Sequence, residues 1–300
     1  MSFYTHRALN SGLLPVFLAA LLVTVPAALG QAPQAEPTEP PQELVRQAVD
    51  NQIHDSQPGR YFMWMERTQK PKGSETKRII QTPAGSIGRL LAINDKPLTP
   101  EQRRQDDERL NQLLDPGKMR EKAKSQKEDE QRTLKMLRAM PEAFIYKYAG
   151  TETTPQGQHL VRLDFTPNPN YVPPSREVQV FQGMRGEVWI DTQAVRIAKI
   201  DGTLFRDVNF GWGILGRLYK GGRFVVEQAP LANGYWDTVH MQLKFDGKIL
   251  VFKSLHIEEN EHDWDFRPVP KMDVQQALNI LRSSGDQIGQ GATSADASAK

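Results

Sequence analysis

Turn-forming residues recur at short intervals along most of this sequence, and the stretches between them are too short for ordinary helices. From Ala143 onward the pattern predicts strands at Phe144–Tyr148, His159–Phe165, Glu177–Phe181, Gly186–Asp191, Val195–Ile200, Leu204–Phe210, Gly222–Gln228, Tyr235–Phe245 and Lys248–Glu259. Asp246-Gly247 predicts a tight hairpin between the last two, because both residues tolerate positive φ. Lys220-Gly221-Gly222-Arg223 is a second turn, and Pro167, Pro169, Pro173 and Pro174 make a loop that no central strand can hold. Earlier in the chain, Arg60–Thr68, Thr76–Thr82 and Ser86–Asn94 form a three-strand meander around turns at Pro71–Ser74 and Pro83–Gly85. Alternation in several strands predicts one buried and one exposed face, and a sheet of about ten strands must twist and curl. The expected fold class is mainly β (α+β), a large curled antiparallel sheet or half-open β-barrel with capping helices and an inserted charged helical hairpin.

Three helical regions interrupt the strands. Pro41–His54 places Val45, Val49 and Ile53 four residues apart, with Leu44 and Ala48 beside them. Near the C-terminus, Val274, Ala277, Leu278 and Leu281 form one stripe. Between them lies the insertion at 99–140. Thr99-Pro100-Glu101-Gln102 carries an N-cap, a first-turn proline and a capping-box partner, and Asp115-Pro116-Gly117 divides the insertion into two helices. Ten basic and nine acidic residues fall between Glu101 and Lys135, and the first helix has only a narrow apolar seam at Leu110, Leu113 and Leu114. Such a hairpin reads as a solvated, ion-paired face or as a lid or partner-binding arm.

The first thirty residues read as a secretory signal. Arg7 and the free amine supply positive charge, Leu13–Ala28 is apolar, and Ala28-Leu29-Gly30 offers small residues for cleavage between Gly30 and Gln31. The apolar run is short for a bilayer span and holds two prolines. The expected organisation is a signal peptide at 1–30, a Pro-rich linker at 31–41, one β-rich domain at 42–282 and a disordered polar tail at 283–300. The expected location is the periplasm or the medium, with no transmembrane segment after signal removal. Without the signal, 37 basic residues stand against 36 acidic ones, which gives no electrostatic reason to expect nucleic acid. The chain has no cysteine, so disulfides, thiolate metal sites, cysteine nucleophiles and N-terminal lipidation on cysteine are excluded.

No motif of nucleophilic, phosphate-binding or zinc-protease type is present, and no enzymatic activity and no cofactor or metal is expected. His256, Glu258, Asn260 and His262 would share one strand face, spread too far for one ion. Asp191, Asp201, Asp207 and Asp237 are placed at strand ends or turns, where a pair could do acid–base work or simply cap turns. Phe210–Gly216 is glycine-rich without the spacing of a phosphate loop, and Trp212 within it either lines a cavity mouth or plugs the core. In the first strand Tyr61, Met63 and Met65 alternate with Phe62 and Trp64, so both faces are greasy. That suits either a filled core or an apolar cavity.

The Gly186-Glu187-Val188-Trp189-Ile190-Asp191 strand, followed by Arg196-Ile197-Ala198-Lys199-Ile200-Asp201-Gly202, resembles the superfamily of periplasmic lipoprotein carriers and receptors (LolA/LolB-like), which also includes a periplasmic stress-regulatory protein. The resemblance covers Arg60 to Phe266, with Leu98–Met140 as an insertion outside the usual pattern. It implies an unclosed barrel with helices over its mouth, an apolar cavity for acyl chains and no catalytic residues. The primary expectation is a non-enzymatic carrier for a lipid or a lipid-modified segment, with Tyr61, Met63, Trp64, Trp189, Trp212 and Phe224 as cavity walls. The alternatives are an envelope interaction or regulatory module using the 99–140 hairpin, with a protein partner, and a hydrolase using the strand-end carboxylates.

Overall fold

A computed structural model describes residues 39–55, 59–211, 215–231, 234–249 and 253–283. The expected signal, most of the linker, Trp212 and the tail beyond Ser283 lie outside the described residues. The helices are α1 (Pro41–Asp55), α2 (Pro100–Gln112), α3 (Pro116–Ala143), α4 (Arg176–Gln179) and α5 (Val274–Ser283). The strands are β1 (Tyr61–Lys70), β2 (Gly73–Thr82), β3 (Gly85–Ile93), β4 (Lys96–Pro97), β5 (Phe144–Thr153), β6 (His159–Pro167), β7 (Met184–Asp191), β8 (Arg196–Leu204), β9 (Val208–Phe210), β10 (Gly216–Leu218), β11 (Arg223–Pro230), β12 (Trp236–Ile249) and β13 (Lys253–Val269). All thirteen belong to one sheet, ordered β4-β3-β2-β1-β13-β12-β11-β8-β7-β6-β5, with β10 beside β12 and β9 beside β10. The sheet does not close: β3 and β4 stand at one edge and β5 at the other. Every pairing is antiparallel, and the expected curled α+β class is what the chain adopts.

The core sits in two places. The larger cluster joins Leu44, Val45, Ala48 and Val49 of α1 to Phe144, Tyr146, Leu163, Phe165, Val188 and Ile200 of the β5–β8 half. The end of α3 joins it through Ala139, Met140 and Ala143. Phe144 meets Phe165 and Phe181 at 4.7 and 4.9 Å between ring centres, so the space beneath α1 is filled with side chains. A second cluster packs Ala277, Leu278 and Leu281 of α5, Leu110 of α2 and Met119 of α3 on Ile80 and Ile87.

Local chemistry explains the helical boundaries. Thr99 accepts from the Gln102 backbone while the Gln102 side chain accepts from the Thr99 backbone, and Asp115 caps α3 through Lys118. α3 runs through Pro141, and its last carbonyls find tertiary donors. Tyr146 Oη donates to Met140 O at 2.9 Å, and Asn168 donates from its side chain to Glu142 O and from its backbone to Ala143 O.

Several sequence expectations are corrected. Glu177–Phe181 is not a strand but α4 followed by a 3-10 turn at Val180–Gly183. Its apolar residues bury Val178, Val180 and Phe181 in the main core, and so short a run has no period that separates strand from helix. β12 runs straight through Asp246-Gly247 to Ile249, and the reversal falls between Ile249 and Lys253. Gly247 serves close approach instead of a turn, since a Cβ there would stand 2.3 Å from Arg217 O of β10. Asp201 and Gly202 lie inside β8, and the expected 204–210 strand is reduced to β9.

Candidate functional site

Strand register assigns side chains to faces. Val188, Ile200, Val226, Met241, Glu261 and Thr68 follow one another across β7, β8, β11, β12, β13 and β1 on the face that α1 covers. Two residues along, Glu66 of β1 stands opposite Asp263 of β13. Carboxylate oxygens of Glu66, Glu261 and Asp263 lie within 4.8 Å of one another, all three half-buried. Thr68 Oγ1 reaches Glu66 and Glu261 at 3.5 Å, and Lys77 Nζ is 3.9 Å from Glu66. Burial first, then the Glu261 and Glu66 charges, push Asp263 up to about 8; burial, Glu66 and Glu259 push Glu261 up to about 7. Asp263 Oδ1 and, on the same face, Trp64 Nε1 are sealed from solvent without a hydrogen-bond partner among the described residues. At neutral pH Asp263 therefore favours its protonated form.

The opposite face carries a polar ladder. Lys199, Glu227, His240, His262 and Arg67 occupy successive register positions on β8, β11, β12, β13 and β1. Lys199 bonds Glu227 at 2.7 Å and lies over the Trp189 ring at 5.3 Å. His240 and His262 stack with ring centres 4.2 Å apart. Burial and the neighbouring His240 lower the pKa of His262. His256 shares the face of His262, as expected, and binds Asp246 at 2.7 Å and Glu258 at 3.4 Å toward the other end of β13.

Among the described residues, an apolar concavity lies at the elbow between α2 and α3. A groove of about 530 Å³ runs between this elbow, the β2–β3 turn and the start of α5. Leu113, Leu114, Met119, Ala123, Ala84 and Val274 form its apolar walls, with Arg120 and Asp273 also lining it. Leu114 is 41% exposed. The volume falls within the range of small-ligand sites. A second cleft, of about 590 Å³ and more polar, lies between the middle of α3 and the ends of β1 and β2, and includes Tyr61 and Tyr235.

The described residues among the expected walls occupy separate places. Tyr61 borders the second cleft. Met63 packs on the α5 cluster from one face of β1, whereas Trp64 points to the other and stacks on Phe266 at 5.9 Å. Trp189 is 8% exposed, packed with Leu160, Ala198 and Trp236 on the face opposite Phe224. Phe224 stands over Gly202, whose Cβ would lie 2.1 Å from the ring. The groove residues Leu113 and Leu114 were visible in the sequence as an apolar seam on a charged hairpin. Glu66 and Asp263 meet only through register, which leaves no local signal.

The four aspartates separate in the same way. Asp191 accepts from the backbones of Gln193 and Ala194, Asp201 pairs with Arg223 at 2.5 Å, and Asp207 accepts from the Lys220 backbone. Asp237 is held above the usual carboxylate range by burial.

No family model matches the chain, and no curated protein matches it. Two solved structures are weakly similar. A DUF1329 family protein from Desulfovibrio piger aligns over 78% of this chain and 96% of its own, with 9% identity and a TM-score of 0.28. MucB, solved in complex with MucA(peri), aligns over 77% of this chain and 99% of its own, with 9% identity and a TM-score of 0.21. No described helix is long and apolar enough to cross a membrane.

Proposed function

We propose that this protein is a non-enzymatic binding protein or carrier of the bacterial envelope, and that it receives the acyl chain of a lipid or lipid-modified segment in the groove at the α2–α3 elbow. The observation that carries this reading is the groove itself, walled by Leu113, Leu114, Met119, Ala123, Ala84 and Val274. Burying an acyl chain contributes about 0.8 kcal/mol per methylene, so a segment of six methylenes gains about 5 kcal/mol before ordering costs. This groove is separate from the main core, which holds Phe144, Phe165 and Phe181 together with α1. The turn and ion-pair roles of Asp191, Asp201 and Asp207 support a non-catalytic reading over a hydrolase.

The test is native mass spectrometry of gently purified protein, followed by titration with a fluorescent fatty acid. Co-purified lipid and a saturable signal, abolished by Ala123→Trp without loss of fold, are expected. Lipid-free protein that gives no signal at any accessible probe concentration overturns the reading.

A further inference from the structure

An antiparallel edge strand turns the backbone groups of alternate residues outward, where they pair with another strand or must be covered. On β3 these residues are Ser86, Gly88 and Leu90, before the register shift at Leu91, and β4 pairs only with the Ala92–Ile93 end. The remainder is covered by side chains of the helical insertion. Gln126 accepts from Ser86 N at 3.0 Å and donates to Ser86 O at 3.1 Å, as a strand residue would. Arg109 donates to Gly88 O at 2.5 Å, and Asp106 accepts from Leu90 N at 3.2 Å.

This cover is anchored at few points, chiefly Leu110 and Met119 in the cluster on α5. α2 buries only Asp106 and Leu110, and of the first two-thirds of α3 only Met119 is buried. The seven residues from Lys127 to Thr133 are exposed on every side. The anchored end of α3, at Ala139–Ala143, lies beyond them in the main core. The elbow can therefore move without unpacking that core.

The charges specify what could replace it. Arg78 and Arg89 stand directly opposite each other on β2 and β3, an unfavourable like-charge pair. Arg89 is bonded at 2.9 Å to Asp107 of α2, and Arg109 at 2.6 Å to Asp106. When α2 leaves, Asp106 and Arg109 leave together, and Arg89 of the edge strand loses the Asp107 carboxylate. We propose that the outer edge of β3 is a docking site for an extended, acidic segment of a protein partner, which adds to the sheet as a further strand once the elbow lifts. Leu113, Leu114 and Met119 also wall the apolar groove, so strand addition and occupation of the groove oppose each other. The docking proposal itself does not depend on the groove holding lipid.

One doubly substituted protein, Ser86→Cys with Gln126→Cys, tests this, because no native cysteine competes. Oxidised, it fastens the elbow to the edge; reduced, it lacks the Gln126 bonds and releases it. The probe is a labelled ten-residue peptide of alternating glutamate and valine, followed by fluorescence anisotropy, with a lysine–valine peptide as control. The reduced form is expected to bind the acidic peptide at least about tenfold more tightly than the oxidised form, and the lysine peptide no better. Bound peptide should slow hydrogen exchange at the Leu90 amide. Fatty-acid titration of both forms runs in parallel, so failure of the groove and failure of the edge are read separately. Equal peptide affinity in the two forms overturns the proposal, as does equal affinity for both peptides. So does dimerisation of the reduced form without peptide binding, which would make a second copy the occupant.

Discussion

Phe224 of β11 stands over Gly202 of β8, with Gly186 of β7 next in the same register row. The ring takes the space that a side chain on Gly202 would otherwise fill, and a Cβ there would meet Phe224 Cε1 at 2.1 Å, whereas a Cβ on Gly186 would meet Asp201 O at 2.0 Å. Phe224 thus covers a backbone surface. Gly202→Ala is expected to cost about 1–3 kcal/mol by overpacking. Adding Phe224→Leu should restore part of that loss. Urea unfolding of both single variants and the double variant measures the coupling, and strictly additive losses would contradict the packing described.

The acid cluster on β1 and β13 sets a pH dependence of definite sign. An isolated aspartate titrates near 3.9, whereas Asp263 in the folded chain titrates at about 8. Between these values the folded state holds more protons than the unfolded state, so stability falls as pH rises through the window. Glu261, at about 7, adds a contribution of the same sign. Asp263→Asn is expected to raise the Tm at pH 8 by about 2–4 °C, equivalent to about 1 kcal/mol in a domain of this size, and to have little effect near pH 4. Thermal scans of both proteins across pH 4–9 check this, and a benefit greatest at pH 4 would reverse the assignment.

Leu110 is fully buried, at 0% exposure, and joins α2 to α5, β2 and β3. Leu110→Ala is expected to cost about 2–5 kcal/mol locally. The loss should fall on the hairpin more than on the α1 core. Limited proteolysis should then cut between Lys127 and Thr133 much faster than in the parent, while the sheet amides keep their protection.

Tyr146 is buried, and its hydroxyl satisfies the Met140 carbonyl in the last turn of α3. Tyr146→Phe removes that donor and leaves the carbonyl sealed, at a cost of about 1–3 kcal/mol. Chemical denaturation measures the loss, and an unchanged midpoint would mean that another donor reaches the carbonyl.

What could be read from the sequence followed the range of the forces involved. α1 and α5 were visible because their apolar stripes repeat at the helical period, and the insertion was visible from Thr99-Pro100 and Asp115-Pro116. The meander and the antiparallel class followed from turn chemistry. Asp246-Gly247 misled because a glycine admitting a third backbone looks the same as a glycine in a turn. Glu177–Phe181 misled because a short apolar run fits either element. The edge cover was hidden for a different reason: Gln126 reaches Ser86 across forty residues, and nothing in the local pattern of either segment announces the bond. The apolar seam of α2 was seen, but its place in a groove depends on α5, which arrives from the far end of the chain.

α3 runs from the β3 edge to the first residue of β5, at the other margin of the open sheet. From Gln126 to Ala143 it covers about 26 Å at 1.5 Å per residue. While Gln126 holds Ser86, this stretch therefore links the two margins of the sheet. Because each added residue also rotates the far end by about 100°, single insertions would misalign Gln126 with Ser86. Only changes of about seven residues, two full turns, would keep both ends in phase, so the length of this link can change in steps and not by degrees.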